Sequence, residues 1–159
     1  MKKVNVADLE ELAWDSPKRT FEGYGKQISE GLGRERNSTD LMKRHPFDVE
    51  LLRVPPEKKP YPYHAHSTQW EFYLVVSGGG LSRDEEGTTR ITAGDAFIYY
   101  PGQAHQLIND GETDLVVCVV ADNPFGDTAY YPDSGKWSTA IPERRVMRSE
   151  ALDYYDGEE

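Results

Sequence analysis

An all-β fold is what this sequence predicts, and three observations carry the prediction. Turn-forming residues are abundant, with 14 Gly and 10 Pro in 159 residues. Tyrosine, a good strand residue, occurs ten times. From residue 47 onward, short β-rich runs alternate with turn signals, the pattern of a sandwich or barrel rather than a helical bundle.

Taken in order, VADLEELAW (residues 6–14) puts Val6, Leu9, Leu12 and Ala13 on one face and predicts a short helix. Residues 15–46, rich in Gly, Ser, Arg and Lys, read as an arm of loops and short strands. FDVELLRV (47–54) alternates well enough for a strand. PPEKKPYPY (55–63) is an extended connection, because its four prolines fix φ and bias the residues before them away from helix. EFYLVVSG (71–78) is a strand, and GLSRDEEGTTRI (80–91) is a hairpin turning at DEEG. DAFIYY (95–100) and HQLIN (105–109) are short strands on either side of a tight turn at PGQAH. Asp110-Gly111 is a strong hairpin signal. DLVVCVVA (114–121) is the most apolar run and is expected at the centre of a sheet. Strand content falls in DTAYYPDSGKW, where an Asp-Ser-Gly turn joins two edge strands. The tail ALDYYDGEE is acidic and expected to fray.

A chain of 159 residues fits one domain. Its parts are an N-terminal helix and arm (1–46), a barrel core (47–121), and an extension packing on the barrel that ends in the acidic tail (122–159). The formal net charge of −10 disfavours nucleic acid and anionic membranes as partners. No window approaches the length of a membrane span. Acids follow Met1-Lys2-Lys3 where a signal peptide needs an apolar run. The lone Cys118 permits no intrachain disulfide and reads as a small hydrophobe. The expectation is a cytoplasmic protein whose partner is a small-molecule ligand. In that compartment the Asn37-Ser38-Thr39 acceptor pattern is without consequence.

The chemistry concentrates in YHAHSTQWE. The chain has only four histidines, and two of them, His64 and His66, stand one residue apart. On a strand they project from the same face. Glu71 differs in parity from His66, so STQW must supply a break before the carboxylate reaches the same point. His105 opens a later strand. Three imidazoles and a carboxylate make a donor set for a first-row divalent metal.

The order H-x-H, four residues, E, six residues, G is met by His64, His66, Glu71 and Gly78. It is followed by G-D and P-G-x-x-H-x-x-x-N at Gly94, Asp95, Pro101, Gly102, His105 and Asn109. Over residues 47–121 this resembles the cupin superfamily, with one departure, Tyr100, at a turn-shaping proline position. The resemblance implies a double-stranded β-helix, or jelly-roll, barrel. It implies one divalent transition metal (Mn, Fe, Ni, Co, Zn or Cu) held by His64, His66, Glu71 and His105. Gly78 and Gly94 would permit tight backbone turns, Asn109 would be a turn residue, and His45 a loop residue.

YYPDSGKW resembles the tail of a group of small bacterial cupins, some of them labelled sugar-phosphate isomerases. The resemblance thus implies a metalloenzyme acting on a small oxygen-rich metabolite, isomerase-like or dioxygenase-like. The alternative is a non-catalytic cupin that binds a small molecule or a metal. Substrate-pocket candidates are Tyr63 and Gln69, which flank the ligands, with Tyr99 and Gln103, and behind them Tyr61 and Phe72. A sugar phosphate would need cations. Arg34, Arg36, Arg44, Arg53, Arg83 and Lys136 are available, though solvated surface is the default for each. Pairing of two copies into a homodimer is expected by resemblance.

Overall fold

The computed structural model describes residues 1–36, 38–140, 143–148 and 150–158, so Asn37 lies outside the described residues. Its first departure from expectation is at residues 6–14. Only Val6–Asp8 is helical, a single 3-10 turn capped by the Asn5 side chain, which accepts from the Ala7 N–H at 3.0 Å. The chain then enters a strand, β1 (Leu12–Asp15), antiparallel to β2 (Glu22–Gln27). Tertiary packing overrides the helical periodicity here. The Trp14 indole donates to the Pro60 carbonyl at 2.9 Å and stacks on Tyr61 with ring centroids 5.2 Å apart. Gly23 leaves room for that ring, since a Cβ there would lie 2.6 Å from Trp14 Cζ2.

After two single-turn helices, α1 (Ile28–Gly31) and α2 (Leu41–Arg44), the barrel strands begin. They are β3 (Phe47–Val54), β4 (Ala65–His66), β5 (Glu71–Ser77), β6 (Gly79–Arg83), β7 (Thr88–Thr92) and β8 (Ala96–Tyr99). They continue with β9 (Gln106–Ile108), β10 (Leu115–Asp122), β11 (Thr128–Tyr131), β12 (Lys136–Thr139) and β13 (Arg145–Met147). One layer is a six-stranded sheet in the order β1-β2-β3-β10-β5-β8, with the apolar β10 central as its sequence predicts. The arm therefore adds two strands to the sheet that begins the barrel.

The other layer consists of a four-stranded sheet, β13-β12-β11-β4, and a three-stranded one, β7-β6-β9. A bridge between His64 and His105 joins them. The Asp-Ser-Gly turn expected to join two strands does so, in the hairpin of β11 and β12, but β13 and β4 flank that hairpin, so neither of its strands is an edge. Asp110-Gly111 is not a hairpin turn. β9 pairs with β6 and β10 pairs with β3 and β5, so this turn carries the chain from one layer to the other. Asn109, fully buried, stitches that crossing. Its amide donates to the carbonyls of Val54 and Thr113, both at 2.8 Å, and its oxygen accepts from the Gly111 N–H.

The core lies between the layers. Alternate residues of β10, Leu115, Val117, Val119 and Ala121, face it together with Leu52, Val54 and Val75. Each fully buried Leu or Val contributes about 1.5–3 kcal/mol. At one end of the interior the apolar residues give way to polar ones. Asp48 and Glu50 share the inward parity of Leu52 and Val54 on β3, and Glu71 shares that of Tyr73 and Val75 on β5. No helix among the described residues is long and apolar enough to cross a membrane.

Candidate metal centre

The polar end of the barrel is built by four short pieces of backbone. His64 and His105 face each other across the bridge that joins the two smaller sheets. The His64 N–H donates to the His105 carbonyl at 3.1 Å, and the His105 N–H returns the bond at 2.8 Å. His66 follows on β4. Glu71 opens β5 in the opposite layer, because Ser67–Trp70 carries the chain across, which is the break the parity argument required.

The rings of His64 and His66 are 5.0 Å apart and those of His64 and His105 are 4.7 Å apart. One ligand atom each from His64, His66 and Glu71 lies within 4.8 Å of the others. His105 joins them through Glu71, its Nε2 standing 2.6 Å from Glu71 Oε2, while His66 Nε2 stands 3.8 Å from Glu71 Oε1.

The hydrogen bonds behind the rings test whether this set fits a metal. His64 Nδ1 donates to the Pro62 carbonyl at 2.8 Å, His105 Nδ1 to the Gln103 carbonyl at 3.1 Å, and His66 Nδ1 to Asp127 Oδ2 at 2.5 Å. With every Nδ1 engaged, Nε2 is the atom each ring has for a ligand, and on His105 that atom meets Glu71. This is the outer arrangement that orients metal-binding imidazoles. Three imidazole nitrogens and a carboxylate suit a first-row divalent ion, so the residues present fit the group.

The charges respond to this crowding. Burial and the neighbouring His105 push His64 down to about 4. Burial alone would raise Glu71, but the His105 hydrogen bond and the nearby imidazoles outweigh it and bring the carboxyl down to about 2. Burial likewise opposes charge on His66, yet Asp127 and Glu71 leave it raised. Asp127 falls to about 2, burial being overcome by the His66 bond and by Thr68. Glu50 goes the other way: buried, with Asp48 and Glu71 near, it is held above its ordinary carboxyl value.

Two adjoining cavities open on the histidines. One, of about 260 Å³, reaches inward past Glu71 and Tyr73 to Glu50 and Gln27. The other, of about 560 Å³, leads outward between the arm and the extension, past Arg34, Arg44, Tyr131 and Arg144. His64, His66, Gln69 and Tyr61 line both.

The pocket candidates divide accordingly. Gln69 lines the cavities, as does Tyr61. Tyr63 does not: it packs with Ala65 and Ala104, and the Arg83 guanidinium lies 4.0 Å over its ring. Tyr99 stacks at 4.0 Å on the far face of His105. Gln103 supplies the carbonyl that holds His105, and its side-chain oxygen accepts from the Tyr100 N–H. Neither Tyr99 nor Gln103 lines these cavities. Phe72, of odd parity to Glu71, points outward. Arg34 is not solvated surface, for its side chain is only 9% exposed.

Asp127, Glu50 and Tyr73 were missed by the sequence reading. The inward parity with Leu52 and Val54 was a readable signal for Glu50. Tyr73, whose hydroxyl donates to Glu71 at 3.0 Å, has the same signal relative to Glu71. Asp127 sits in a loop after Gly126 and carried none.

Comparison with known proteins bears on the fold that holds this centre. The cupin domain family matches residues 50–121. A structure described as a sugar phosphate isomerase from a cupin superfamily, from Silicibacter pomeroyi, is 21% identical with a TM-score of 0.78. It covers 96% of this chain and 97% of its own. A candidate sugar phosphate isomerase from Acidithiobacillus ferrooxidans is likewise 21% identical with a TM-score of 0.78, covering 93% of this chain and 92% of its own. At these identities the likeness is one of fold. The Oxalate-binding protein of Thermotoga maritima is 35% identical over 52 residues, which span 33% of this chain and 43% of that relative. With its barrel and its motif residues, the chain matches the cupin domain family over residues 50–121 and is similar in fold along most of its length to these two structures.

Proposed function

We propose that the chain is a metal-dependent enzyme acting on a small oxygen-rich metabolite, with one divalent transition metal held by His64, His66, Glu71 and His105. The observation that carries this reading is the engagement of all three Nδ1 atoms, which leaves the Nε2 atoms for the metal. When bound, such an ion supplies Lewis-acid polarisation of a substrate oxygen. The other tasks belong to the chain. Tyr61 and Gln69 line the entry and orient hydroxyl groups. Tyr61 keeps its proton, because burial and the Glu50 charge raise it well above the ordinary phenol range.

Glu50 is the group that moves a proton. It lines the inner cavity with Glu71, and a carboxyl that holds its proton above the ordinary carboxylate range is what general acid–base work near neutral pH needs. Its Oε2 accepts from Gln27 at 2.6 Å, which fixes the carboxyl in place. A metal centre with a separate proton carrier suits aldose–ketose isomerisation, and two proteins of similar fold are described as sugar phosphate isomerases. A non-catalytic binding role is the second reading, favoured by the sequence likeness to the Oxalate-binding protein.

Elemental analysis of untagged protein tests the metal, with about one equivalent expected. His66→Ala combined with His105→Ala should abolish that stoichiometric binding, and full retained occupancy would refute the ligand set. Turnover on a panel of aldoses and their phosphates then separates enzyme from binder, since bound but unchanged compounds favour the second reading.

A further inference from the structure

The outer cavity has a charge that the rest of the chain does not. The protein carries a net −10, yet the described residues lining this cavity include three arginines, Arg34, Arg44 and Arg144, against one carboxylate, Asp127. That carboxylate is committed to His66. Arg44 donates to the Pro124 carbonyl and lies 5.3 Å from the centroid of the Phe125 ring. Among the described residues, no acid pairs with Arg44 or Arg144. Arg34 is tied to Glu30, Asp48 and Asn123, but its Nε is buried without a partner. Hydroxyls of Ser38, Thr39 and Ser138 line the same space.

We infer that this cationic end is a phosphate-binding subsite, and that the substrate is a phosphate monoester whose sugar portion reaches the histidines. The inference rests on the proposed function for the second half of that statement only. A tetrahedral dianion offers several terminal oxygens in different directions, which guanidinium groups and hydroxyls from separate segments can satisfy together. A planar carboxylate is satisfied by one guanidinium fork. The placement also gives the non-barrel segments a task. Ser38, Thr39 and Arg44 belong to the arm, and Ser138 and Arg144 to the extension. The barrel thus supplies the reacting end and the two additions supply the end that selects the substrate.

The test is calorimetric titration of the full chain with inorganic phosphate at low ionic strength, with malonate as the carboxylate comparison. One saturable site is expected, weakened about tenfold or more in Arg44→Gln and in Arg144→Gln, the loss of one charge-assisted hydrogen bond each. Arg34 is left intact because its ion pairs hold the arm. Protein stripped of metal with a chelator should bind phosphate as the untreated protein does, so failure of the metal reading leaves this result standing. No saturable binding overturns the inference, as does binding unchanged in both arginine variants. Loss of phosphate binding in the stripped protein would place the anion on the metal and overturn the inference. Malonate binding as tight as phosphate would overturn the choice of phosphate.

Discussion

Asp127 is the sharpest point at which to perturb the centre, since it touches the metal set through one hydrogen bond and is not itself a ligand. Its Oδ2 lies 2.5 Å from His66 Nδ1, while Oδ1 accepts from Ser67 Oγ, Thr68 N and Thr68 Oγ1 at 2.9–3.1 Å. The drop of its carboxyl from 3.8 to about 2 corresponds to roughly 2–3 kcal/mol favouring the ionised form, an upper bound that solvent screening of this half-buried carboxylate reduces. Asp127→Asn keeps the size and removes the charge. If His66 accounts for about half of that energy, the variant forfeits about 1–1.5 kcal/mol of support for the imidazole, close to tenfold in affinity. That lies at the low end of the 10–100-fold usual for such outer partners. Competition with a chromophoric chelator for Zn²⁺ or Co²⁺ at fixed pH measures it. Thr68→Val serves as the control, because it removes a partner of Asp127 on the side away from His66. Affinity of Asp127→Asn within twofold of the parent would refute the reasoning, and so would an equal fall in Thr68→Val.

Gly78→Ala should lower the melting temperature far more than Gly94→Ala. Both glycines have positive φ, but a Cβ at Gly78 would meet the Asp114 carbonyl oxygen at 2.2 Å, while one at Gly94 meets nothing within 4 Å and costs about 1–2 kcal/mol of backbone strain. Glu50→Gln should abolish turnover yet stabilise the fold. Glu50 is raised above 4.5, so its contribution to stability is full below that pH and is lost as pH rises through the raised value; the melting-temperature advantage of the variant must therefore widen from acid to neutral pH, and a flat or shrinking gap would sink the assignment. Phe72, Leu74 and Ile98 leave the outer face of β5 and β8 apolar where a one-sided sheet should be polar. A second copy is expected to cover it, and light scattering should find a dimer that Leu74→Lys with Ile98→Lys converts to a monomer.

How much of this was legible in the sequence follows from which forces are local. Strands β3, β5 and β10 were readable because alternation and β-branched runs are local signals. The spacing of the two histidine motifs was readable because β4 and the bridge to His105 keep the ligands close to their own turns. The 6–14 segment misled because a helical repeat competes with a partner 46 residues away, the Pro60 carbonyl that takes the Trp14 indole proton. Asp110-Gly111 misled because turn chemistry specifies a reversal and not which strand is met afterwards. Tyr63 was assigned to the pocket because it flanks a ligand, and a strand sends such a neighbour to the opposite face; Tyr99 and Gln103 do reach His105, one stacking on its ring and the other holding its Nδ1, a supporting role that position in the sequence does not separate from lining the pocket.

The same rule, applied forward, explains where the centre and its selectivity reside. His64 and His105 exchange two backbone hydrogen bonds, so the link that joins the smaller sheets also sets two of the imidazoles side by side. Removing either side chain leaves those bonds intact, which is why ligand substitutions can test metal binding without unfolding the barrel. Arg44 and Arg144 are in a different position. They come from the arm and the extension and meet only in the folded chain, far apart in sequence and outside any motif. A barrel that fixes its ligands by backbone pairing can exchange such additions without disturbing the centre, so substrate choice and metal binding should vary independently between proteins built on this plan.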